Sequence, residues 1–407
     1  MDTLTQLTLG AACGEAILGK KIGNRAMLWG AFGGMLPDLD IVAYAFCDEM
    51  TALAFHRGFM HSILFAVLAA FGLGWLVDKL YHTGFYKRRR YKAAVFLLTL
   101  LVFGGVAFGV NYLPFSQSGK VNFVLLSFSV AALTLIGWLF WKKYLAADLQ
   151  TISATRREWT WLFWWSIFTH PVLDSFTTFG TQLFQPFSDY RVAFNNIAVV
   201  DPAYTVPFLL CLLAASFISR EKKARRILNW FGIGLSSAYM VFTLVHKWQF
   251  DRLFERSLAE QGIVTQRFTA SPTILNNFLW QGMAESDTAY YHGMYSFFDK
   301  EPRITQFHVV PKNHELVAKY EGDRAMRILR WFSNGYFNVI TRKDGKLQLN
   351  DLRYGSREER FEKETDYIFR FVLEEKDGKL SAHQTREGDE ITGEAFQKLF
   401  NRILGKK

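Results

Sequence analysis

The chain has 407 residues, which allows two or three domains, and its 16% aromatic content excludes a disordered chain. Its three cysteines, Cys13, Cys47 and Cys211, lie far apart, which excludes a small disulfide-stapled scaffold. A net charge of +10 would suit a nucleic-acid partner. The basic residues, however, cluster between apolar runs as topology determinants do, so we expect no nucleic-acid binding.

Residues 1–246 consist mainly of apolar runs, and a run needs ~20 residues to cross a bilayer. Near the N-terminus, Leu4–Leu18 and Ala26–Leu36 are too short to cross and predict a helical hairpin. Full spans are predicted at Ser62–Tyr81, Ala93–Pro114, Asn122–Trp141, Trp159–Phe179, the shorter Ala203–Ser219, and Leu228–His246. The fold class is therefore mainly α, a polytopic transmembrane helical bundle of about six full spans plus the hairpin.

Residues 247–407 carry charges and turns throughout and predict a soluble α+β domain, mainly antiparallel. A charged helix is expected at Lys247–Glu260. Strands are predicted at Ala289–Phe298, Phe337–Thr341 and Tyr367–Leu373, with hairpin turns at Asp344-Gly345 and Asp377-Gly378. No catalytic motif occurs in this part of the sequence.

The basic residues of the short loops predict the orientation of the bundle. One set of alternate loops holds seventeen Lys and Arg residues, whereas the opposite set (37–61, 115–121 and 180–202) holds three. Because positively charged loops stay in the cytoplasm, the second set is expected on the outer side. The last span then delivers residues 247–407 to the outer side, and the protein is expected in a bacterial cytoplasmic (inner) membrane.

Ionisable side chains at membrane depth are costly and are candidates for function. They are concentrated in three short segments, all predicted at the outer end of the helices. The segments are GGMLPDLD with Asp38 and Asp40, HRGFMHS with His56 and His61, and THPVLD with His170 and Asp174. Three histidines and three aspartates suit a divalent metal ion, zinc first among the first-row metals, and suffice for one or two ions.

The spacing of the third pair is the simplest to interpret. His170 and Asp174 are four residues apart, so both project from one helical face and can bind the same ion. Pro171 between them would kink the helix or begin a new helical segment.

The other two pairs need irregular backbone. His56 and His61 are five residues apart and cannot share a face of a continuous helix, but Gly58 offers a bend that would bring His56 back while His61 occupies the first helical turn. Asp38 and Asp40 follow a proline in a stretch that we expect to be non-helical, pointing to opposite sides. One aspartate would bind metal while the other orients an imidazole, or the pair would bracket two ions.

A hydrolytic site also needs a general base and groups that hold the substrate. Whichever of Asp38 and Asp40 is not a ligand is the first choice for the base, and we assign Asp40 a catalytic role. Asp201 is the second choice, with a helix N-cap before Pro202 as an equally good interpretation. Arg57 would hold a phosphate or carboxylate of the substrate, or pair with one of the aspartates.

GGMLPDLD, HRGFMHS and THPVLDSFTTFGTQLFQPFS resemble the motifs of the YdjM-like family of bacterial inner-membrane proteins, described as predicted metal-dependent hydrolases. The resemblance covers roughly residues 1–250. It implies a membrane-bound hydrolase whose polar centre is formed by the six histidines and aspartates of the three motifs.

These observations predict a membrane-bound metal-dependent hydrolase with its site at the extracytoplasmic end of the bundle. A site at the membrane boundary favours a lipid or a lipid-linked ester or phosphoester as substrate, with the bilayer itself as partner. The alternative is a non-enzymatic membrane protein that binds or transports a divalent cation, although charged motifs at only one end favour a one-sided site. The sequence leaves the oligomeric state open.

Overall fold

The computed structural model describes residues 1–118, 121–146, 151–356, 361–376, 378–387 and 393–406. The chain forms two compact units. One consists of Met1–Phe71 together with Trp161–Lys407, and the other of Gly72–Thr160. The first unit contains all the predicted site residues and the whole C-terminal region.

The fold is mainly helical, with a C-terminal β domain. The α-helices of the described part are α1 (Thr3–Ile22), α2 (Asn24–Met35), α3 (Glu49–Phe55), α4 (Ile63–His82), α5 (Arg89–Ser118), α6 (Phe123–Phe140), α7 (Arg156–Asp174), α8 (Pro202–Ser216), α9 (Lys223–Glu260), α10 (Arg324–Phe332) and α11 (Gly393–Ile403). In length and composition α4, α5 over Arg89–Tyr112, α6 and α9 can each cross a membrane.

Four of the six predicted spans are therefore found, and the other two are shorter or more polar than expected. The predicted span Trp159–Phe179 corresponds to α7, which ends at Asp174 and carries polar side chains on its last turns. The predicted span Ala203–Ser219 corresponds to α8, whose 15 residues rise about 22 Å, less than the ~30 Å hydrocarbon core. Full crossing by α7 and α8 stays a prediction.

The predicted N-terminal hairpin is formed by α1 and α2, which pack closely through glycines. A methyl group added at Gly10 would overlap the backbone carbonyl of Gly30, and one added at Gly14 would overlap that of Ala26. Small residues at such positions let two helix backbones approach closely. This close packing sets the position of Gly34, whose carbonyl belongs to the candidate site.

The last predicted span and the charged helix Lys247–Glu260 form one element. Helix α9 runs for 38 residues without interruption, so residue 246, the predicted domain boundary, lies inside it. The division into a membrane domain (1–246) and an extracytoplasmic domain (247–407) stays a prediction.

The C-terminal region contains two four-stranded antiparallel sheets, each with its strands in chain order. The strands are β1 (Arg267–Pro272), β2 (Leu279–Glu285), β3 (Ala289–Ser296), β4 (His308–Pro311), β5 (Phe337–Thr341), β6 (Leu347–Ser356), β7 (Tyr367–Lys376) and β8 (Lys379–Gln384). All three predicted strands are confirmed, and the Asp344-Gly345 turn joins β5 to β6 with a glycine φ of 81°. Asp377 of the other predicted turn lies outside the described residues.

The second sheet packs against a helix from the N-terminal part of the chain. Met50 and Leu53 of α3 share a buried core with Leu329 of α10 and Phe371 of β7. The backbone N–H of Gln384 also donates to the carboxylate of Glu49, at 2.6 Å. Because α3 leads directly into His56, the C-terminal domain holds the segment that carries the second motif.

The unit Gly72–Thr160 differs from the first unit in how many of its apolar side chains are exposed. Large apolar side chains on its helices are exposed, among them Leu101 at 73% and Phe123 at 74%. Asn111 bonds Ser129 across α5 and α6 at 2.9 Å. Apolar side chains on the outside and a polar contact between helices are the pattern of lipid-facing helices.

Candidate metal centre

The two aspartates of the first motif lie in a 3-10 helix, Leu36–Ala45, that continues from α2. The expectation of a non-helical stretch is wrong, because Pro37 occupies the first turn, where a missing N–H is tolerated. At three residues per turn, Asp38 and Asp40 point in directions about 120° apart. The two carboxylates therefore point in different directions, although not to opposite sides as expected from the sequence.

The second motif is bent at Arg57. This residue has a left-handed backbone with a φ of 57°, and Phe59–His61 then form a 3-10 turn before α4. The bend was predicted at Gly58, and His61 was expected in the first turn of the span. A left-handed conformation is costly for arginine, and here it directs the Arg57 N–H to Asp40 Oδ2, at 2.8 Å.

The third motif forms the C-terminal end of α7. The helix continues past Pro171 to Asp174, so His170 and Asp174 lie on consecutive turns, and both are buried. Gly34 at the end of α2 accepts a hydrogen bond from Nδ1 of His170 at 2.5 Å. The α1–α2 hairpin thereby sets the orientation of this imidazole.

The three motifs converge on one group of four donor atoms, contributed by Asp38, His61, His170 and Asp174, all within 4.8 Å of one another. His61 Nε2 and His170 Nε2 are 3.1 Å apart, and Asp38 Oδ1 lies 3.5 and 3.3 Å from them. Asp174 Oδ2 lies 3.5 and 3.6 Å from the same two nitrogens. Ligands at about 2.0–2.2 Å from a tetrahedral zinc are separated by about 3.3–3.6 Å, so the four distances between a carboxylate oxygen and an imidazole nitrogen fit that geometry, while the two nitrogens are slightly closer.

The proton of one imidazole is held away from this group. His170 Nδ1 donates to the Gly34 carbonyl, and His61 Nδ1 lies 3.1 Å from Asp40 Oδ2, at hydrogen-bonding distance but with poor angular geometry. His170 Nε2 therefore faces His61 Nε2 and the two carboxylates. A divalent cation bound here would be held by both Nε2 atoms and by the carboxylates.

The two carboxylate oxygens of Asp174 differ in their hydrogen bonding. Its Oδ1 accepts hydrogen bonds from Gln6 Nε2, at 2.8 Å, and from the Met1 amine. Its Oδ2 is buried and accepts no hydrogen bond from any residue in the described ranges. This oxygen faces two imidazole nitrogens and the Arg57 guanidinium, and it is the atom through which Asp174 would bind a metal ion.

Asp40 and His56 lie outside the four-atom group. Asp40 Oδ1 accepts from His56 Nδ1 at 2.8 Å, while Oδ2 faces the backbone N–H of Arg57 and Nδ1 of His61. Burial would raise the pKa of Asp40, but the hydrogen bonds from His56 and His61 outweigh it and lower the pKa to about 2. Asp40 therefore orients a neighbouring imidazole, one of the two roles predicted for this aspartate pair.

Arg57 is buried and pairs with an aspartate. Its Nε lies 3.1 Å from Asp174 Oδ2, at an angle that does not make a hydrogen bond, and its Nη1 donates to Thr177 Oγ1 at 2.8 Å. Of the two roles considered for Arg57, pairing with an aspartate is the one that this geometry supports.

The Asp201 carboxylate already accepts hydrogen bonds at the start of α8. Its side chain accepts hydrogen bonds from the backbone N–H groups of Ala203 and Tyr204, and from the Tyr239 hydroxyl at 3.0 Å. These are the bonds of a helix N-cap, so they support the alternative interpretation of the Asp-Pro pair.

Sequence reasoning missed two polar groups of the site. The Gly34 carbonyl orients His170, and Gln6 Nε2 donates both to Asp174 Oδ1 and to the His170 carbonyl, the latter at 3.3 Å. One signal was present: Gly10 and Gly14 in α1, and Gly30 and Gly34 in α2, repeat at four-residue spacing, as in closely packed membrane helices.

A family model described as "YdjM inner membrane protein" matches residues 1–112 and 123–250. The match includes all three motifs. No curated protein and no solved structure matches the chain.

Proposed function

Because the chain belongs to the YdjM family of inner membrane proteins and its buried histidines and aspartates converge on one point, we propose that it is a membrane-bound metal-dependent hydrolase. The observation that carries the proposal is the pair of imidazole nitrogens 3.1 Å apart beside an unfilled carboxylate oxygen. Two histidines and two aspartates at these spacings favour zinc over calcium or magnesium, which prefer all-oxygen sites.

A divalent ion held by this group would supply a Lewis acid that activates water and polarises an ester or phosphoester. The protein's own residues prepare the site for it. Gly34 and Asp40 orient the imidazoles of His170 and His61, and Arg57 holds Asp174.

Asp38 is the candidate for contact with water and substrate. Its side chain is 25% exposed, whereas the side chains of His61, His170 and Asp174 are buried. Burial would raise its pKa, but the interactions with the neighbouring His170 and His61 outweigh burial and lower it. Asp38 would therefore bind the ion at the open side of the site, and because both oxygens of Asp40 already face donors, we assign the general base to neither aspartate of this pair.

The surroundings of Asp38 support a substrate with an apolar part. Ile41 and Phe46 of the same segment are 60% and 83% exposed, and Leu39 and Val42 are also exposed. Exposed apolar side chains next to a polar site suit the boundary between lipid and water. We propose a lipid or lipid-linked ester or phosphoester as substrate, and the extracytoplasmic side of the membrane as its location.

A second function has one specific observation in its favour. Four protein donors already complete a tetrahedral shell, which is typical of structural metal sites, whereas catalytic sites keep one position open. In that case the protein would bind or transport a divalent cation without hydrolysis.

The test measures metal content and turnover on the full chain purified in detergent. Wild type, His170→Ala and the exposed control His383→Ala are compared against phospholipids and simple phosphoesters, with Zn²⁺, Mn²⁺ or chelator. We expect about one ion per chain and metal-dependent turnover in wild type and in the control, and neither in His170→Ala. Bound metal without turnover would leave the cation-binding function, and turnover in His170→Ala would contradict both.

A further inference from the structure

Three arginine side chains surround a pair of aromatic rings next to the candidate metal centre. The guanidinium carbons of Arg57 and Arg191 lie 4.7 and 4.6 Å from the ring centroid of Phe179. Those of Arg191 and Arg353 lie 4.6 and 5.3 Å from the ring of Phe332, which itself meets Phe179 edge to face at 5.1 Å. The three cations are therefore neighbours around one small aromatic group.

This group, the arginine cluster (Arg57, Arg191 and Arg353), is continuous with the metal centre. Arg57 Nε lies 3.1 Å from Asp174 Oδ2. On the other side, Arg353 of β6 donates to the carbonyl of Thr178 at 3.3 Å. The cluster therefore lies where the loop after α7 meets the second sheet.

Two of the three charges have a carboxylate partner. Arg353 makes a double ion pair with Asp351, with Nη2 to Oδ2 at 2.6 Å and Nε to Oδ1 at 3.0 Å. Arg57 faces Asp174. Arg191 donates to the backbone carbonyl of Phe332 at 3.0 Å, and no ion pair to it occurs among the described residues.

Arg191 is thus a half-buried cation whose Nη2 atom is buried, and it has no carboxylate counterion among the described residues. Burial, and then the neighbouring charge of Arg353, lower its pKa to about 9. The carbonyl of Phe332 and the rings of Phe179 and Phe332 stabilise this guanidinium but supply no negative charge, so a ligand that carries one would stabilise it further.

Two buried hydrogen-bond donors of this cluster, one of them on Arg191 itself, also lack an acceptor among the described residues. Arg191 Nη2 and the hydroxyl of Tyr354 have no hydrogen-bond partner in the part of the chain that the structure describes. The Tyr354 ring is held by Phe369, stacked at 4.9 Å, and by Arg353, whose guanidinium carbon lies 5.6 Å from it. The tyrosine is therefore fixed in place while its hydroxyl remains available.

We propose that Arg191 and the Tyr354 hydroxyl, with the charge of Arg57 beside them, bind the phosphate group of a ligand next to the metal centre. A guanidinium offers two parallel N–H groups to phosphate oxygens, and a surplus of positive charge suits a phosphate better than a neutral ester. The assignment of this phosphate to the substrate rests on the proposed function. The binding of a phosphate group at this place does not depend on it.

The test is phosphate binding by the full chain in detergent, with metal removed by chelation. One arm titrates inorganic phosphate, and the other titrates short-chain phosphatidic acid below its micelle concentration. Binding in both arms supports a site for the phosphate group alone, and binding of the lipid only supports a headgroup site that also needs the acyl chains. Binding in neither arm would overturn the proposal.

Variants separate binding from folding. We expect Arg191→Gln to weaken phosphate binding at least about tenfold and Tyr354→Phe to weaken it less, because a charged donor contributes more than a neutral one. Arg330→Gln, at an exposed arginine of α10, is the control and should bind as wild type. Without phosphate, Arg191→Gln should unfold at the same temperature as wild type or above it, since it removes a half-buried charge that has no carboxylate counterion among the described residues.

Equal phosphate affinity in wild type and Arg191→Gln would contradict the proposal, and so would an Arg191→Gln protein that unfolds earlier in phosphate-free buffer. The hydrolase can fail independently. A chain that binds phosphate but turns over no ester keeps this site and loses the proposed function, whereas a metal-dependent hydrolase indifferent to Arg191→Gln loses only the phosphate site.

Discussion

Two buried ionic groups in this protein differ in how their polar atoms are paired. Glu15 of α1 and Arg225 of α9 form a double ion pair, with Nη2 to Oε2 at 2.5 Å and Nε to Oε1 at 2.6 Å, and Arg225 Nη1 also donates to Asn24. The cluster of Asp38, His61, His170 and Asp174 instead leaves a carboxylate oxygen unfilled and two nitrogens facing each other. Burial of charge alone therefore does not distinguish the two groups, whereas the convergence of four donor atoms on one point does.

The difference has a physical origin. A carboxylate and a guanidinium satisfy each other in two parallel hydrogen bonds and need no third partner. Imidazoles and carboxylates that converge on one point offer several acceptor atoms to the same small space, and a divalent cation there would satisfy them together. The ion pair thus joins two helices, while the cluster is arranged to bind.

The comparison is tested most strongly by removing both imidazoles. We expect the double variant His61→Ala/His170→Ala to lose essentially all bound metal, because the two strongest nitrogen donors are gone. Elemental analysis of purified protein, with His383→Ala as the matched control, measures it. Metal retained by the double variant would place the ion elsewhere in the chain.

The ion pair should respond in stability and not in metal content. Glu15→Ala leaves the Arg225 guanidinium buried without its partner and should lower the free energy of unfolding by about 3–5 kcal/mol. The double variant Glu15→Leu/Arg225→Leu should recover most of this loss, as measured by denaturation in detergent. A change in the metal content per folded chain, in either variant, would contradict the distinction between the ion pair and the donor cluster.

Asp40 tests the orientation of a ligand imidazole. Asp40→Asn keeps the shape but weakens the interaction with His61 Nδ1, so metal affinity should fall about 10–100-fold, as for other groups that orient metal ligands. Titration of apo protein with Zn²⁺ against a competing chelator measures the affinity. Asp48→Asn, at the exposed N-cap of α3, is the control and should bind as wild type.

Asp201 should give the smallest effect. As an N-cap of α8 it can be replaced by asparagine, which caps equally well, so Asp201→Asn should change the free energy of unfolding by less than about 0.5 kcal/mol, and Asp201→Ala by about 0.5–2 kcal/mol. Turnover of Asp201→Asn is the decisive measurement. A variant that folds normally but has lost turnover would restore Asp201 as the general base.

Much of the site could be predicted from local patterns. The pairing of His170 with Asp174 follows from four-residue spacing on a helix, and the separation of Asp38 from Asp40 follows from a spacing of two. Metal binding by His56 stays a prediction: in the structure its Nδ1 bonds Asp40, and the four-atom group does not include it. Local spacing could not exclude it, because the bend at Arg57 determines which histidine faces the cluster.

The arginine cluster was not predictable at all. Arg57, Arg191 and Arg353 are separated by more than a hundred residues at each step, and only the packing of the second sheet brings the third to the first two. No local periodicity connects them.

The apolar helices, the antiparallel strands and the residue types of the candidate metal centre can be inferred from local patterns in the chain, because burial and backbone geometry act within a few neighbouring residues. Tertiary structure alone decided which donors meet, which imidazole proton is turned away and which atoms stay unfilled. Those properties depend on the close approach of α1 and α2 and on the contact of α3 with the C-terminal core, and both arise between segments distant in the chain.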